Sequence, residues 1–313
     1  MVMEETNIRS VEDAVNVSAP TEDRNPASVH IDRLPTLEVL QLLNAEDSTV
    51  PTAVSAVLPE LARLVDAAVV RIRAGGGVHY FGAGTSGRLA VLDAAELMPT
   101  FNSPVGLFTA HHAGGAVALL SAIENVEDDE EAGRREAQIL RSGDVVIGLT
   151  ASGRTPYVRG ALTVGRERGA LTALVTAHSE SEIGALADFV IAPATGPEVV
   201  TGSTRLKAGT AQKLILNGFS TSVMIALGRT WSNLMVDVVA TNAKLRGRVV
   251  RILREATGVD EESAQKALAE AGNELKPALL HLLTDIPAAE ARALLDAHGG
   301  SVAAALGAIP PTR

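Results

Sequence analysis

Five short runs rich in β-branched and apolar residues, at positions 78–81, 105–109, 145–150, 171–176 and 189–192, recur through the middle of the chain with helix-like segments between most of them. Strands that alternate with helices pair in parallel, because each crossover returns the chain to the same end of the sheet, and near-continuous apolar runs suit a strand covered on both faces. The expected fold class is α/β, a doubly wound five-stranded parallel sheet of flavodoxin-like type. Upstream, over residues 36–73, apolar residues such as Leu37, Leu40, Leu43, Val54, Leu58, Leu61 and Leu64 recur at helical spacing and predict two helices. Beyond Pro197 the period is helical again over 204–227, breaks at Gly228 and resumes over 231–253. From Ala256 onward come a helix through Ala269, a Gly272-Asn273 turn, a helix to Leu283 and another over 287–297, which together make a small C-terminal helical bundle. The predicted organisation is a flexible arm over 1–24, an α/β domain over 25–250 and the bundle over 251–313.

Composition narrows the partners. The 313 residues are 46% hydrophobic, enough for a large core. With 27 basic against 37 acidic residues the formal net charge is −10, which argues against nucleic acid or an anionic membrane as a partner, since both demand a basic surface. An anionic small molecule would need a pocket built locally. The absence of cysteine removes disulfides, thiolate nucleophiles and cysteine metal sites, and the seven histidines lack metal-ligand spacing. No metal or cofactor is expected. No stretch reads as a signal peptide or a bilayer span, so a soluble cytoplasmic protein is expected.

Three hydroxyl-rich turns stand out. The first strand runs into Gly82-Ala83-Gly84-Thr85-Ser86-Gly87-Arg88, followed by a helix that Pro99 is expected to stop. Glycines permit a tight strand-to-helix turn, the helix N-terminus offers unpaired N–H groups, and Thr85 and Ser86 add donors, a combination suited to a phosphate. The spacing fits neither a Walker loop, which needs a lysine, nor a dinucleotide fingerprint, which needs an acidic residue about twenty positions on. The third strand ends in Ala151-Ser152-Gly153-Arg154-Thr155-Pro156, where Thr155 can cap and Pro156 can begin the next helix. In an open parallel sheet both turns can face one pocket outside the carboxyl ends of the strands. The third segment, Thr201-Gly202-Ser203-Thr204-Arg205-Leu206-Lys207, opens the long helix and offers hydroxyls such as Ser203 and two cations, Arg205 and Lys207, to an anion.

Two sets of carboxylates are candidates for proton transfer. Glu96 closes the helix that begins at the first turn, and a carboxylate against the negative end of a helix dipole would have a raised pKa if buried. Glu124 and Glu127 begin an acidic run and would share one face if that run were helical. His111 and His112 follow the second strand, where a site is possible, although a lone histidine pair is more often structural.

These motifs, with the Leu92-Asp93-Ala94-Ala95-Glu96 stretch, the segment from Glu198 to Thr210, Thr21-Glu22-Asp23-Arg24-Asn25 and the Asn233-Leu234-Met235-Val236-Asp237 run, resemble the N-acetylmuramic acid 6-phosphate etherases over most of the chain. The resemblance implies a sugar isomerase domain, a lyase that splits the lactyl ether of the sugar phosphate without a cofactor, and Glu96 and Glu127 as its acid/base pair. It implies further that substrate contacts come from Gly84, Thr85, Ser86, Gly87, Arg88, Glu124, Ser152, Gly153, Thr155, Ser203 and Lys207. One departure is Ala116, where the family often has an acidic residue after the two glycines that correspond to Gly114-Gly115. The stretch 271–278 is similar also to ubiquitin-associated-type bundles. Two other readings stay open: a sugar-phosphate sensor similar to the glucokinase regulatory proteins, and an aldose-ketose phosphosugar isomerase. Ten residues of continuous helix would separate Glu96 from Ser86 by about 15 Å, more than an open hexose phosphate spans from phosphate to C2. Either the Ser152 and Thr155 turn then takes most of the phosphate, or Glu96 serves the site of a second subunit in a homodimer whose site lies near the interface.

Overall fold

The computed structural model describes residues 19–238 and 243–309. Three helices come first, α1 (Thr36–Asp47), α2 (Val50–Ser55) and α3 (Leu58–Arg73), where the apolar spacing predicted two. Pro51 and Pro59 sit in the first turns of α2 and α3, so each proline opens a new helix instead of continuing the last. Most of the arm predicted over 1–24 lies outside the described residues. Its described end is packed: Ala19 and Thr21 are buried, and the Gly202 N–H donates to the Thr21 carbonyl at 3.1 Å.

The sheet follows as β1 (Val78–Gly82), α4 (Gly84–Phe101), β2 (Phe108–His112), α5 (Gly115–Leu120), α6 (Glu130–Glu136), β3 (Val145–Leu149), α7 (Pro156–Glu167), β4 (Leu171–Val175), β5 (Phe189–Ile191) and α8 (Lys207–Ala226). The five strands are all parallel in the order β2-β1-β3-β4-β5, the doubly wound arrangement expected. Alternation along the strands divides the core. Val78, Tyr80 and Ile147 pack against α3, α4 and α8 through Leu64, Ala90 and Phe219, whereas Phe81, Val146 and Leu174 pack against Tyr157, Val158 and Leu162 of α7.

Several boundaries moved. β2 begins at Phe108 because residues 104–107 form a turn, with Gly106 at φ +83° and Val105 99% exposed. Pro99 does not stop α4. The helix runs on to Phe101 and ends on Asn102 in the left-handed region, with the Thr100 hydroxyl donating to the Glu96 carbonyl at 2.8 Å. Residues 231–253 are not one helix. A hairpin of β6 (Thr230–Trp231) and β7 (Leu234–Met235) turns at Ser232, φ +51°, before α9 (Ala243–Thr257) begins. Next come α10 (Glu261–Glu270), α11 (Leu275–Thr284), α12 (Ala288–Ala297) and α13 (Val302–Ala308), which has no counterpart in the sequence reading. These helices enclose their own apolar core around Leu253, Leu279, Leu280 and Leu295. Lys276 fastens them to the body by donating to the Gly228 carbonyl at 3.0 Å and to Asp237 at 2.7 Å. No helix among the described residues is long and apolar enough to cross a membrane.

Two buried polar clusters fix the sheet to its layers. On α4, Asp93 accepts from the Tyr80 hydroxyl (3.1 Å), Asn217 (2.8 Å) and Ser220 (3.0 Å), tying α4 to β1 and α8. On the other face His79 Nδ1 lies 3.1 Å from His111 Nε2, and the His79 ring stands 3.8 Å from the fully buried Asp144 carboxylate. His111 also stacks on Phe81 at 4.2 Å, which gives its place in the sheet a physical basis. Burial, reinforced by His79, pushes the His111 imidazole down to about 4. A base whose folded pKa lies below its unfolded value near 6.5 leaves stability unaffected above that value and removes it as pH falls toward the folded pKa. The protein is therefore expected to be about 2 kcal/mol less stable at pH 5 than at pH 7 through His111 alone, measured by urea unfolding. A His111→Gln chain, which keeps an acceptor for His79 but binds no proton, should lose less over the same interval.

Candidate active site

In this strand order the chain leaves β1 toward one face and β3 toward the other, so the carboxyl ends of the two strands open a crevice. Gly82 and Leu149 are register partners at that point, and the first two hydroxyl-rich turns leave the sheet side by side. β1 passes into α4 almost without a loop, since Gly84, at φ +53°, is already the first helical residue. A Cβ at Gly87 would fall 2.5 Å from the Gly82 carbonyl oxygen and 2.6 Å from the His112 ring, so glycine alone lets the helix begin this close to its strand. The first turn of α4, with its unpaired N–H groups, Thr85 and the buried Ser86, thus begins at the carboxyl end of β1, and Gly84 of that turn lines the smaller cavity. His112 holds the wall there, its ring nitrogens 2.7 Å from the Ala113 carbonyl and 3.3 Å from that of Gly84.

The second turn differs from its expected form. Thr155 makes no side-chain cap to α7. Its Oγ1 lies 2.7 Å from Thr150 Oγ1, which is 3.4 Å from Ser152 Oγ, so three hydroxyls form one chain of hydrogen bonds. Gly153, at φ +71°, is closed over by Ser181, whose hydroxyl donates to the Gly153 carbonyl at 2.6 Å.

Glu124 and Glu127 do not share a helical face. Asn125 adopts the left-handed conformation between them, and Glu127 sits in the single 3-10 turn Val126–Asp128. The loop nevertheless brings both to the crevice. A cavity of 160 Å³ is lined by Gly84, Arg88, His112, Glu124 and Glu127 among others, and a wider hollow of 510 Å³ by Glu127, Ser152, Arg154, Thr155, Arg159 and Glu182. Glu127 belongs to both and stands between the glycine turn and the hydroxyl turn. Glu127 keeps an exposed side, and partial removal from water, then the neighbouring Asp128 and Glu124, hold its carboxyl above the ordinary carboxylate range, a direction that suits a group exchanging protons.

Other expected residues take different places. Ser203 precedes α8, whose first turn lies beside the first loop: a Cβ on Gly209 would touch the Thr85 methyl at 3.4 Å. Lys207 is not available to a phosphate. Its ammonium is buried and donates to Glu46 at 2.6 Å, and Glu46 also accepts from Asn25 at 2.8 Å. Glu198, wholly buried, accepts from the Lys207 and Ala208 backbone N–H groups at 2.9 Å each and so fills the N-terminus of α8. Neither Glu198 nor Thr150 was singled out as a working residue. Thr150 carried a signal, as the hydroxyl just before the Ser152 turn, whereas nothing local marks Glu198 as a cap nine residues ahead of its helix. Arg88 also departs from the expected phosphate contact, because its guanidinium donates to the carbonyls of Ala118 (2.7 Å), Leu119 (3.0 Å) and Ser121 (3.4 Å). Glu96 is exposed on α4 and lines neither cavity.

The arrangement belongs to the class of phosphosugar-handling SIS domains. Residues 60–166 match the glucokinase regulatory protein N-terminal SIS domain and residues 118–220 the SIS domain. Among solved structures, phosphoheptose isomerases from Francisella tularensis (17% identity, 61% of this chain and 100% of that one, TM-score 0.49) and Neisseria gonorrhoeae (18%, 60% and 99%, 0.48) are similar. Full-length relatives are much nearer. An N-acetylmuramic acid 6-phosphate etherase of Thermobifida fusca is 60% identical over 268 residues, 86% of this chain and 88% of that one, and one of Pectobacterium atrosepticum is 51% identical over 288 residues, 91% and 95%. The chain belongs to the N-acetylmuramic acid 6-phosphate etherase family.

Removing one member of a buried ion pair leaves the other charge stranded. Lys207→Met is expected to cost about 3 kcal/mol of stability in urea unfolding, and the Glu46→Gln, Lys207→Met double variant should recover part of that loss.

Proposed function

We propose that Glu96 and Glu127 are the acid/base pair by which this etherase cleaves the D-lactyl ether of N-acetylmuramic acid 6-phosphate, giving N-acetylglucosamine 6-phosphate and D-lactate in the breakdown of cell-wall amino sugars. The observation that carries the roles is the position of Glu127, common to both cavities and flanked by two donor-rich turns. The phosphate sits against Thr85, Ser86, Ser152 and Thr155, received by hydroxyls and helix N-terminal N–H groups. In the open-chain sugar the C1 aldehyde acidifies C2. One carboxylate takes the C2 proton, the electron pair forms the C2–C3 double bond, and the C3–O bond breaks in a syn elimination while the other carboxyl gives its proton to the departing lactate oxygen. Water then adds at C3 and a proton returns to C2. Either order of the two glutamates satisfies this balance. The enzyme acts in the cytoplasm, where phosphorylated sugars are held by their charge.

Glu96 reaches this site from a second subunit. The ten residues of unbroken helix between Ser86 and Glu96 amount to about 15 Å, and Leu92 and Met98, which flank Glu96 on α4, are 52% and 60% exposed. Val117 and Leu120 on α5 add an apolar surface, at 67% and 92% exposed, of the kind a homodimer covers.

D-lactate released from N-acetylmuramic acid 6-phosphate by the purified protein is expected to fall at least a hundredfold in both Glu96→Ala and Glu127→Ala chains, in line with the usual worth of a general acid or base. Binding of the sugar phosphate without lactate release would replace the enzyme by a sensor. Mixing inactive Glu96→Ala with inactive Ser152→Ala chains should restore activity, because a mixed dimer holds one intact site. Mixed dimers that stay inactive would place Glu96 in its own subunit's site.

A further inference from the structure

The guanidinium of Arg88 links α4, which carries Glu96, to the end of α5, from which the chain leads to Glu127. It extends from the first turn of α4 and gives hydrogen bonds to three carbonyls at the end of α5: Ala118 at 2.7 Å, Leu119 at 3.0 Å and Ser121 at 3.4 Å. α5 has six residues, too few to hold together alone. Its last carbonyls lack partners within the helix, and a planar fork of N–H donors suits them better than any other side chain. Little else secures this stretch. Gly114 and Gly115 enter it in the left-handed region at φ +80° and +66°, Ala118 is its one buried side chain, and Val117, Leu120 and Ile123 are exposed. From Ser121 the chain continues through exposed residues to Asn125, at φ +65°, and then Glu127. The far end is fixed, since Val126 packs against Gly114 and Asp129 caps α6 through the Ala132 N–H at 2.8 Å.

We infer that Arg88 is a positioning residue which, by capping α5, holds the 121–127 loop over the crevice and sets Glu124 and Glu127 against the α4 turn, and that it is not a phosphate ligand. The assignment rests on the proposed role of Glu127. The groups that face Glu127 are Asp128 and Glu124 on its own segment, Arg88 of α4 and His112 of β2 across the smaller cavity, Arg154 and Arg159 from the β3–α7 side, and Glu182 beyond them. Glu127 keeps an exposed side, and a loop freed from Arg88 no longer holds it against the α4 turn, so the part of its shift that comes from that contact is lost and its carboxyl falls back toward the ordinary range. The rate limb that Glu127 governs then moves to lower pH.

Arg88→Lys separates capping from charge, because an ammonium keeps the charge but cannot span three carbonyls. The experiment measures kcat, KM and the pH–rate profile for lactate release by wild type, Arg88→Lys and Arg88→Gln, with hydrogen exchange of residues 115–127 in each. The expected result is a loss of kcat of at least tenfold in both variants, KM within about threefold of wild type, the limb displaced toward acid, and faster exchange confined to 115–127. Lysine restoring kcat and the limb, with glutamine raising KM tenfold or more, would overturn the assignment and make Arg88 a phosphate ligand. Unchanged exchange over 115–127 in a folded Arg88→Lys chain would overturn it whatever the kinetics. The role of Glu127 is judged apart, by whether Glu127→Gln abolishes the limb in the wild-type background.

Discussion

The contact between Gly82 and Gly87 is the constraint from which the site follows. With no side chain on either residue, the last residue of β1 and the first turn of α4 meet backbone to backbone, and the helix starts where the strand stops. That fixes the direction of α4, brings its free N–H groups to the switch point, and sets the length of helix between Ser86 and Glu96. The Asp93 cluster then prevents α4 from rotating, since its carboxylate is shared by a strand hydroxyl and two α8 side chains. Everything α4 carries, from Thr85 to Glu96, inherits its place from those two contacts.

The cations near this site have structural duties. Arg88 caps α5, and Lys207 neutralises Glu46 on α1 while its own backbone N–H is taken by Glu198. Arg154 and Arg159 face Glu182 at 3.9 and 3.6 Å. In the binding mode proposed above, the phosphate is met mainly by hydroxyls and backbone N–H groups. Such donors are fixed by the turns and need no reorganisation, which preserves geometry at the reacting carbons at the expense of raw electrostatic attraction.

The parallel sheet was legible because its strands are apolar on both faces, and the turns were legible because glycine and hydroxyl residues at strand ends have few other uses. What escaped the sequence was the partner of each charge. Nothing adjacent to Lys207 announces Glu46, 161 positions away, and nothing in the run from Gly84 to Arg88 distinguishes a guanidinium aimed at a ligand from one aimed at carbonyls 30 residues on. The hairpin at Thr230–Met235 was hidden for a different reason: strands of two residues are too short to show a period of two. Glu124 and Glu127 were paired for a helical reason that proved false, yet an αL residue between them brings both to one cavity.

The same shortage of free cations bears on how the carboxyls work. Glu127 is already raised by removal from water and by Asp128 and Glu124. A sugar phosphate that enters the crevice adds a further negative charge and expels water, and both changes favour the protonated carboxyl. A lysine or arginine turned toward Glu127 would oppose this by stabilising the carboxylate; Arg154 and Arg159, which line the wider hollow with it, are shared with Glu182. With the roles proposed above, holding the phosphate with neutral donors lets substrate binding itself lift the proton affinity of Glu127. On that proposal the structural employment of Arg88 and Lys207 and the chemistry of Glu127 are one arrangement: cations tied to the α5 carbonyls and to Glu46 do less to hold the neighbouring carboxyl ionised.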